Sequence, residues 1–152
     1  MSEFPSGLPR TVFETWTSPE GIACAMGAGA RTVNGYVQLP DLPPGFPLGL
    51  LTPPRALTYR ENDLPQAGSW VGFDTGHADD RWNPKDLESA ITRIPDPTVR
   101  GRVHEQFVRV RDRGHFEMQA SGEGVREWTV PSVREETERL AAELAEIIRD
   151  SQ

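Results

Sequence analysis

The sequence predicts an α+β domain: an antiparallel sheet of four to six strands backed by a C-terminal amphipathic helix, with one or two further helices in the second half. Three observations predict it. The first eighty or so residues are β-branched and aromatic runs broken by turn signals. The stretch after Asn83 shifts to helical spacing, and the chain closes on a long amphipathic stripe. Strands first and helices later indicate segregated elements rather than alternating βαβ units. At 152 residues, 1–152 reads as a single domain with enough apolar residues for one core.

Residues 1–10 are Pro/Gly/Ser-rich and read as a loose N-terminal segment. Thr11 to Thr17 reads as a strand, with Val12, Glu14 and Trp16 expected on one face. Ser18-Pro19-Glu20-Gly21 is a turn, with Pro at the second position and Gly at the fourth. Ile22 to Met26 returns as the hairpin partner, and Thr32 to Leu39 forms a third strand. Residues 40–54 then hold six prolines among Leu42, Phe46, Leu48, Leu50 and Leu51. Proline has no N–H for a ladder, so this stretch is a stiff apolar loop, expected to cover the core or to offer a surface to a ligand or partner.

Leu57-Thr58-Tyr59 is a short strand, and Ser69 to Asp74 is the most apolar one. Asn83-Pro84 opens a helix through Leu87, Ala90, Ile91 and Ile94. Asp96 caps a second helix from Pro97, whose apolar face is Val99, Val103, Phe107 and Val110, and Gly114 ends it. His115 to Gln119 is expected as a short strand, and residues 95–125 as a whole are a candidate insertion. In the last helix Ser132 is the expected cap, with Glu135 completing a capping box. Val133, Thr137, Leu140, Leu144, Ile147 and Ile148 form its stripe.

Composition narrows the function classes. Lys+Arg is 16 against Asp+Glu 23, a net charge of -7, which argues against a nonspecific nucleic-acid partner. Lys85 is the only lysine. No apolar run approaches the roughly 20 residues of a membrane span, so no membrane partner is expected. The start lacks a basic region followed by an apolar stretch, so the expected location is cytoplasmic. Cys24, the single cysteine, sits in an apolar stretch and reads as a small buried hydrophobe.

The chemistry-bearing stretch is Asp74-Thr75-Gly76-His77-Ala78-Asp79-Asp80, at the exit of the most apolar strand. Three readings stay open. Imidazole and carboxylates can ligate a divalent ion, whose bound water would hydrolyse a phosphoester. Alternatively, Asp74, His77 and Asp80 hydrogen-bond a polar ligand while Tyr59, Trp70 and Trp82 stack on it. Or the carboxylates are turn-formers and the histidine is structural. The arginines after Pro97, among them Arg102 and Arg109, are either a wet helix face or the cations for an anionic group such as a nucleotide phosphate.

The segments Gly35-Tyr36-Val37-Gln38-Leu39-Pro40, Leu57-Thr58-Tyr59, Gly72-Phe73-Asp74-Thr75-Gly76-His77-Ala78-Asp79-Asp80 and the closing helix resemble a family of small phage and actinobacterial proteins. Its members read Gly-Tyr-Val-x-x-Pro, His-Gly-Gly-Leu-Thr-Tyr and Gly-Phe-Asp-Cys-x-His-x-x-Asp. The resemblance covers about 33–80 and 127–148, and its Asp…His…Asp element falls on Asp74, His77 and Asp80. Pro54-Arg55-Ala56 stands where the family has His-Gly-Gly, and Thr75 stands at its cysteine. Losing the second histidine implies binding rather than metal catalysis. Phage accessory proteins of this size often act against host defence, some by sequestering nucleotide signals.

The expected function is therefore a soluble, noncatalytic binding protein for a small anionic, nucleotide-like ligand, held by Tyr59, Trp70, Asp74, His77, Asp80, Trp82, Arg102 and Arg109. No cofactor or resident metal is expected. The alternatives are a metal-dependent phosphoester hydrolase and a protein-protein adaptor using loop 40–54. A sheet edge and an apolar loop leave homo-oligomer formation open.

Overall fold

The first turn sets the sheet. In a computed structural model, which describes residues 8–41, 57–61 and 67–150, strand β1 (Val12–Thr17) runs into β2 (Ala23–Ala28) through Ser18–Gly21. Gly21 N–H donates to Ser18 O at 2.9 Å, and the Ser18 hydroxyl accepts from Ile22 N–H at 3.1 Å. Gly21 has φ 87°, a conformation that glycine adopts at little cost. Strands β3 (Val33–Gln38), β4 (Tyr59–Arg60) and β5 (Trp70–Phe73) complete an antiparallel sheet of order β1-β2-β3-β5-β4. The α+β fold with five antiparallel strands is as the sequence predicts. The proline-rich loop, the N-terminal segment and Pro54-Arg55-Ala56 lie largely or wholly outside the described residues.

Strand alternation gives the sheet two apolar faces. Cys24, Met26, Val33, Val37, Val71 and Phe73 join the main core with the helices. Val12, Ala25, Tyr36 and Trp70 form a second cluster, joined by Tyr59 and Leu8. Val12 does not share a face with Glu14 and Trp16 as expected. The β1–β2 register slips between Val12 and Glu14, so a β-bulge turns Val12 to the second cluster. Glu14 pairs with Met26 and takes ion pairs from Arg93 and Arg134, on the helix side. Burial pushes the Cys24 thiol up to about 12, so it stays a protonated core residue.

Helix α1 (Pro84–Ile91) starts as predicted, with Asn83 Oδ1 accepting from Lys85 N–H at 2.8 Å. It ends earlier than expected, and Ile94 is buried beyond it. Helix α2 (Pro97–Asp112) is capped by Asp96, whose Oδ1 accepts from Thr98 and Val99 N–H at 2.9 and 3.2 Å. The predicted strand at 115–119 is instead a set of turns. Gly114 takes φ 76°, Met118 N–H bonds back to Gly114 O at 3.1 Å, and Phe116 folds onto Phe107 with ring centroids 5.8 Å apart. That reversal leaves no extended backbone for a ladder.

Helix α3 (Val130–Asp150) begins before the expected cap. Thr129 Oγ1 accepts from Ser132 N–H at 3.2 Å and Ser132 Oγ accepts from Thr129 N–H at 2.8 Å. This is a reciprocal capping box with Thr129, not Ser132, at its head. Just before it, β7 (Arg126–Trp128) pairs in parallel with β6 (Asp80–Trp82), a ladder that the sequence did not announce. None of the described helices is long and apolar enough to cross a membrane.

The α2 cap has a pH signature. Hydrogen bonds from the Val99 and Thr98 amides, helped by Arg10 and Arg100, hold the Asp96 carboxyl below its usual 3.8. A depressed carboxylate stabilises the fold above its unfolded value, and that contribution is lost as the pH falls through the lower folded value. Acid unfolding of Asp96→Asn should therefore depend less steeply on pH below about 4 than that of the parent, measured by helical circular dichroism.

Candidate functional site

Strand β5 ends at Phe73, and the polar segment that follows is fastened from beneath by two buried indoles. Thr75 is fully buried. Its hydroxyl donates to Val33 O at 2.7 Å and accepts from Trp82 Nε1 at 2.9 Å. Asp80, with only 1% of its side chain exposed, accepts at Oδ1 from Trp128 Nε1 at 2.9 Å. Its other oxygen accepts from His77 N–H at 3.0 Å. Asp80 is thus both the turn-former and the buried anchor of the 74–80 loop. The β6–β7 pair exists to the extent that it brings Trp82 and Trp128 side by side in register below that loop.

His77 Nδ1 lies 3.2 Å from Asp74 Oδ1 and 3.3 Å from Asp80 Oδ2. Both neighbours are acceptors, so Nδ1 carries the hydrogen and, in the neutral ring, Nε2 keeps the lone pair. One Nδ1 hydrogen points well at only one oxygen. The hydrogen bond goes to Asp80. Asp74 Oδ1 is left buried without a hydrogen-bond partner among the described residues.

A cavity of about 510 Å³ opens beside this loop. That volume lies in the roughly 300–1,000 Å³ range of small-molecule sites. Asp74, His77 and Asp80 line one side of it. The β2–β3 connection contributes Arg31 and Thr32, and the start of β3 contributes Asn34. The turn after α2 contributes His115, Met118 and Gln119. The Gln119 amide is oriented, because its Oε1 accepts from Trp82 N–H at 2.9 Å and its NH₂ group is left as a donor. Met118 is 81% exposed at the rim. Burial first, and then the charge of Arg31, lower the pKa of His115 from its usual 6.5.

Three of the eight residues singled out in the sequence therefore line one cavity, and five do not. Trp82 is buried under the loop and acts on it through Thr75. Trp70 sits at the far end of β5, opposite Gln38, whereas Phe73 pairs with Gly35 near the cavity. Four residues of strand at about 3.3 Å each separate Trp70 from Asp74 by some 13 Å. Tyr59 packs edge-on against Tyr36 in the second cluster, with ring centroids 5.2 Å apart. Arg102 and Arg109 are exposed on α2, where Arg109 pairs with Glu105 at 2.7 Å.

The cation of the cavity is Arg31, which sequence reasoning passed over, along with His115 and Gln119. Only Arg31 left a local signal: a charged residue in the tight link Gly29–Thr32, where Gly29 N–H bonds to Thr32 O at 2.8 Å. Among the described residues, no group of three or more His, Cys, Asp or Glu is arranged to hold a metal ion. Comparison of the chain with protein-family models, with curated proteins and with solved structures finds no match.

Proposed function

We propose that the chain is a noncatalytic binding protein for a small anionic ligand of nucleotide type, taken up in the cavity beside the 74–80 loop. The observation that carries this reading is the donor-rich wall formed by Arg31, His115 and the oriented Gln119 amide, facing a loop fastened by two buried indoles. Guanidinium and amide donors suit phosphate oxygens, and a rigid support keeps them aimed. A cytoplasmic setting and a counter-defence role fit this reading, since sequestering a nucleotide signal needs affinity and no chemistry. Self-association remains part of the proposal, to be measured alongside.

Thermal unfolding with mononucleotides and inorganic phosphate tests it. A ligand that binds only the folded chain stabilises it by about 2.7 kcal/mol at a hundredfold excess over its Kd. The pH dependence has a definite sign. In the free protein the lowered His115 pKa makes protonation easier in the unfolded chain. The stability it contributes is complete above about pH 6.5 and falls as the pH drops below that. A bound anion favours the protonated ring, so affinity for a phosphodiester such as 3′,5′-cyclic AMP, whose own charge is constant there, should rise as the pH falls toward the lowered His115 value of the free protein. No stabilisation by any nucleotide or by phosphate, at pH 6 or pH 7.5, overturns the reading.

A further inference from the structure

We infer that Asp74 selects the ligand by accepting a hydrogen bond from an exocyclic amino group, so that the cavity prefers amino-bearing nucleobases over their carbonyl or unsubstituted counterparts. This rests on the nucleotide reading above and deepens it. The wall supplied by Arg31, His115 and Gln119 is rich in donors, and it is matched by phosphate or carbonyl oxygens. Asp74 is the exception. Its side chain is 44% exposed, yet Oδ1 is buried against the His77 ring. With Oδ1 buried, Oδ2 is the carboxylate oxygen left to meet a ligand in the cavity that Asp74 lines.

A carboxylate is acceptor-only, so whatever ligand group meets that open oxygen must donate. A single open acceptor asks for one donor, which an exocyclic amino group supplies. Uracil places a carbonyl oxygen where cytosine carries its amino group, so an oxygen held to that position meets an acceptor and stays unpaired, and the one donor of the uracil edge, N3–H, lies at a different place. Asp80, the other carboxylate on this side, already receives Trp128 Nε1–H and His77 N–H and is almost wholly buried. The discrimination thus falls to Asp74.

The experiment is isothermal titration of the full chain at one pH with three pairs that differ at this group: CMP and UMP, GMP and IMP, AMP and purine riboside 5′-monophosphate. The amino member of each pair should bind about tenfold tighter or more, the expected range for one hydrogen bond to a charged acceptor. Asp74→Asn, isosteric and on a partly exposed loop, can both donate and accept, and it should erase or invert the preference while phosphate affinity stays. Arg31→Gln should weaken all six ligands together. Equal binding within each wild-type pair, or an unchanged preference in Asp74→Asn, overturns this inference and leaves nucleotide binding standing. No binding of any of the six overturns the reading beneath it. The wild-type pairs decide the matter even if the variant does not fold.

Discussion

Gly35→Ala should lower the stability of the chain by about 3 kcal/mol, the upper end of what overpacking a core costs. Gly35 lies in β3, paired to Met26 on one side and Phe73 on the other. A Cβ there would stand 2.1 Å from Thr137 Oγ1 and 2.8 Å from two atoms of the Phe73 ring. Neither neighbour can yield easily. Thr137 is fully buried on α3 and its hydroxyl donates to Val133 O at 2.7 Å, and Phe73 is 1% exposed. The missing side chain is what lets the last helix lie close on the sheet. Urea unfolding reads the effect as a fall in midpoint at constant slope. Adding Thr137→Ala removes the closer clash but not the ring, so the double variant should recover part of the loss. A midpoint unchanged in Gly35→Ala would mean that helix and strand are not this close.

Asp80→Ala should be of similar size and should also abolish ligand binding. It strips the acceptor from Trp128 Nε1–H, in the buried interior, and from His77 N–H. Each unsatisfied buried donor costs about 1–3 kcal/mol, so a loss near 3 kcal/mol is expected. The variant also takes the Asp80 acceptor from His77 Nδ1 and leaves it only Asp74 Oδ1, 3.2 Å away. Asp80→Asn keeps an acceptor for the indole but offers an NH₂ group to a peptide N–H, and it should fall between the two. Binding measured on folded protein separates the effects: a variant as stable as the parent, binding ligand as tightly, would sink the anchoring role given to Asp80.

What the sequence made legible was local. The turn at Ser18–Gly21, the caps at Asn83 and Asp96 and the stripe of α3 follow from residues within one turn of each other. The start of α3 was misread because Thr129 and Ser132 are both hydroxyl residues at cap spacing, and either can head the pattern. The bulge in β1 adds one residue to an otherwise regular alternation, which no pattern reading detects. Of the site, Asp74, His77 and Asp80 were found because one short loop holds all three. Arg31, His115 and Gln119 arrive from other connections, and only the folded chain brings them there. The aromatic residues misled for the opposite reason. Tyr59, Trp70 and Trp82 flank the loop in sequence, but strand direction carries two of them away and burial puts the third underneath.

The bond from Trp128 to Asp80 spans 48 positions of the chain. The loop that faces the cavity is therefore completed only when the strand leading into the final helix has come home. A chain whose C-terminal third is undocked holds the right residues in the wrong posture. On the binding reading proposed above, occupancy of the cavity and seating of that helix reinforce each other, so a bound ligand would reduce the fraying of an element outside the cavity lining.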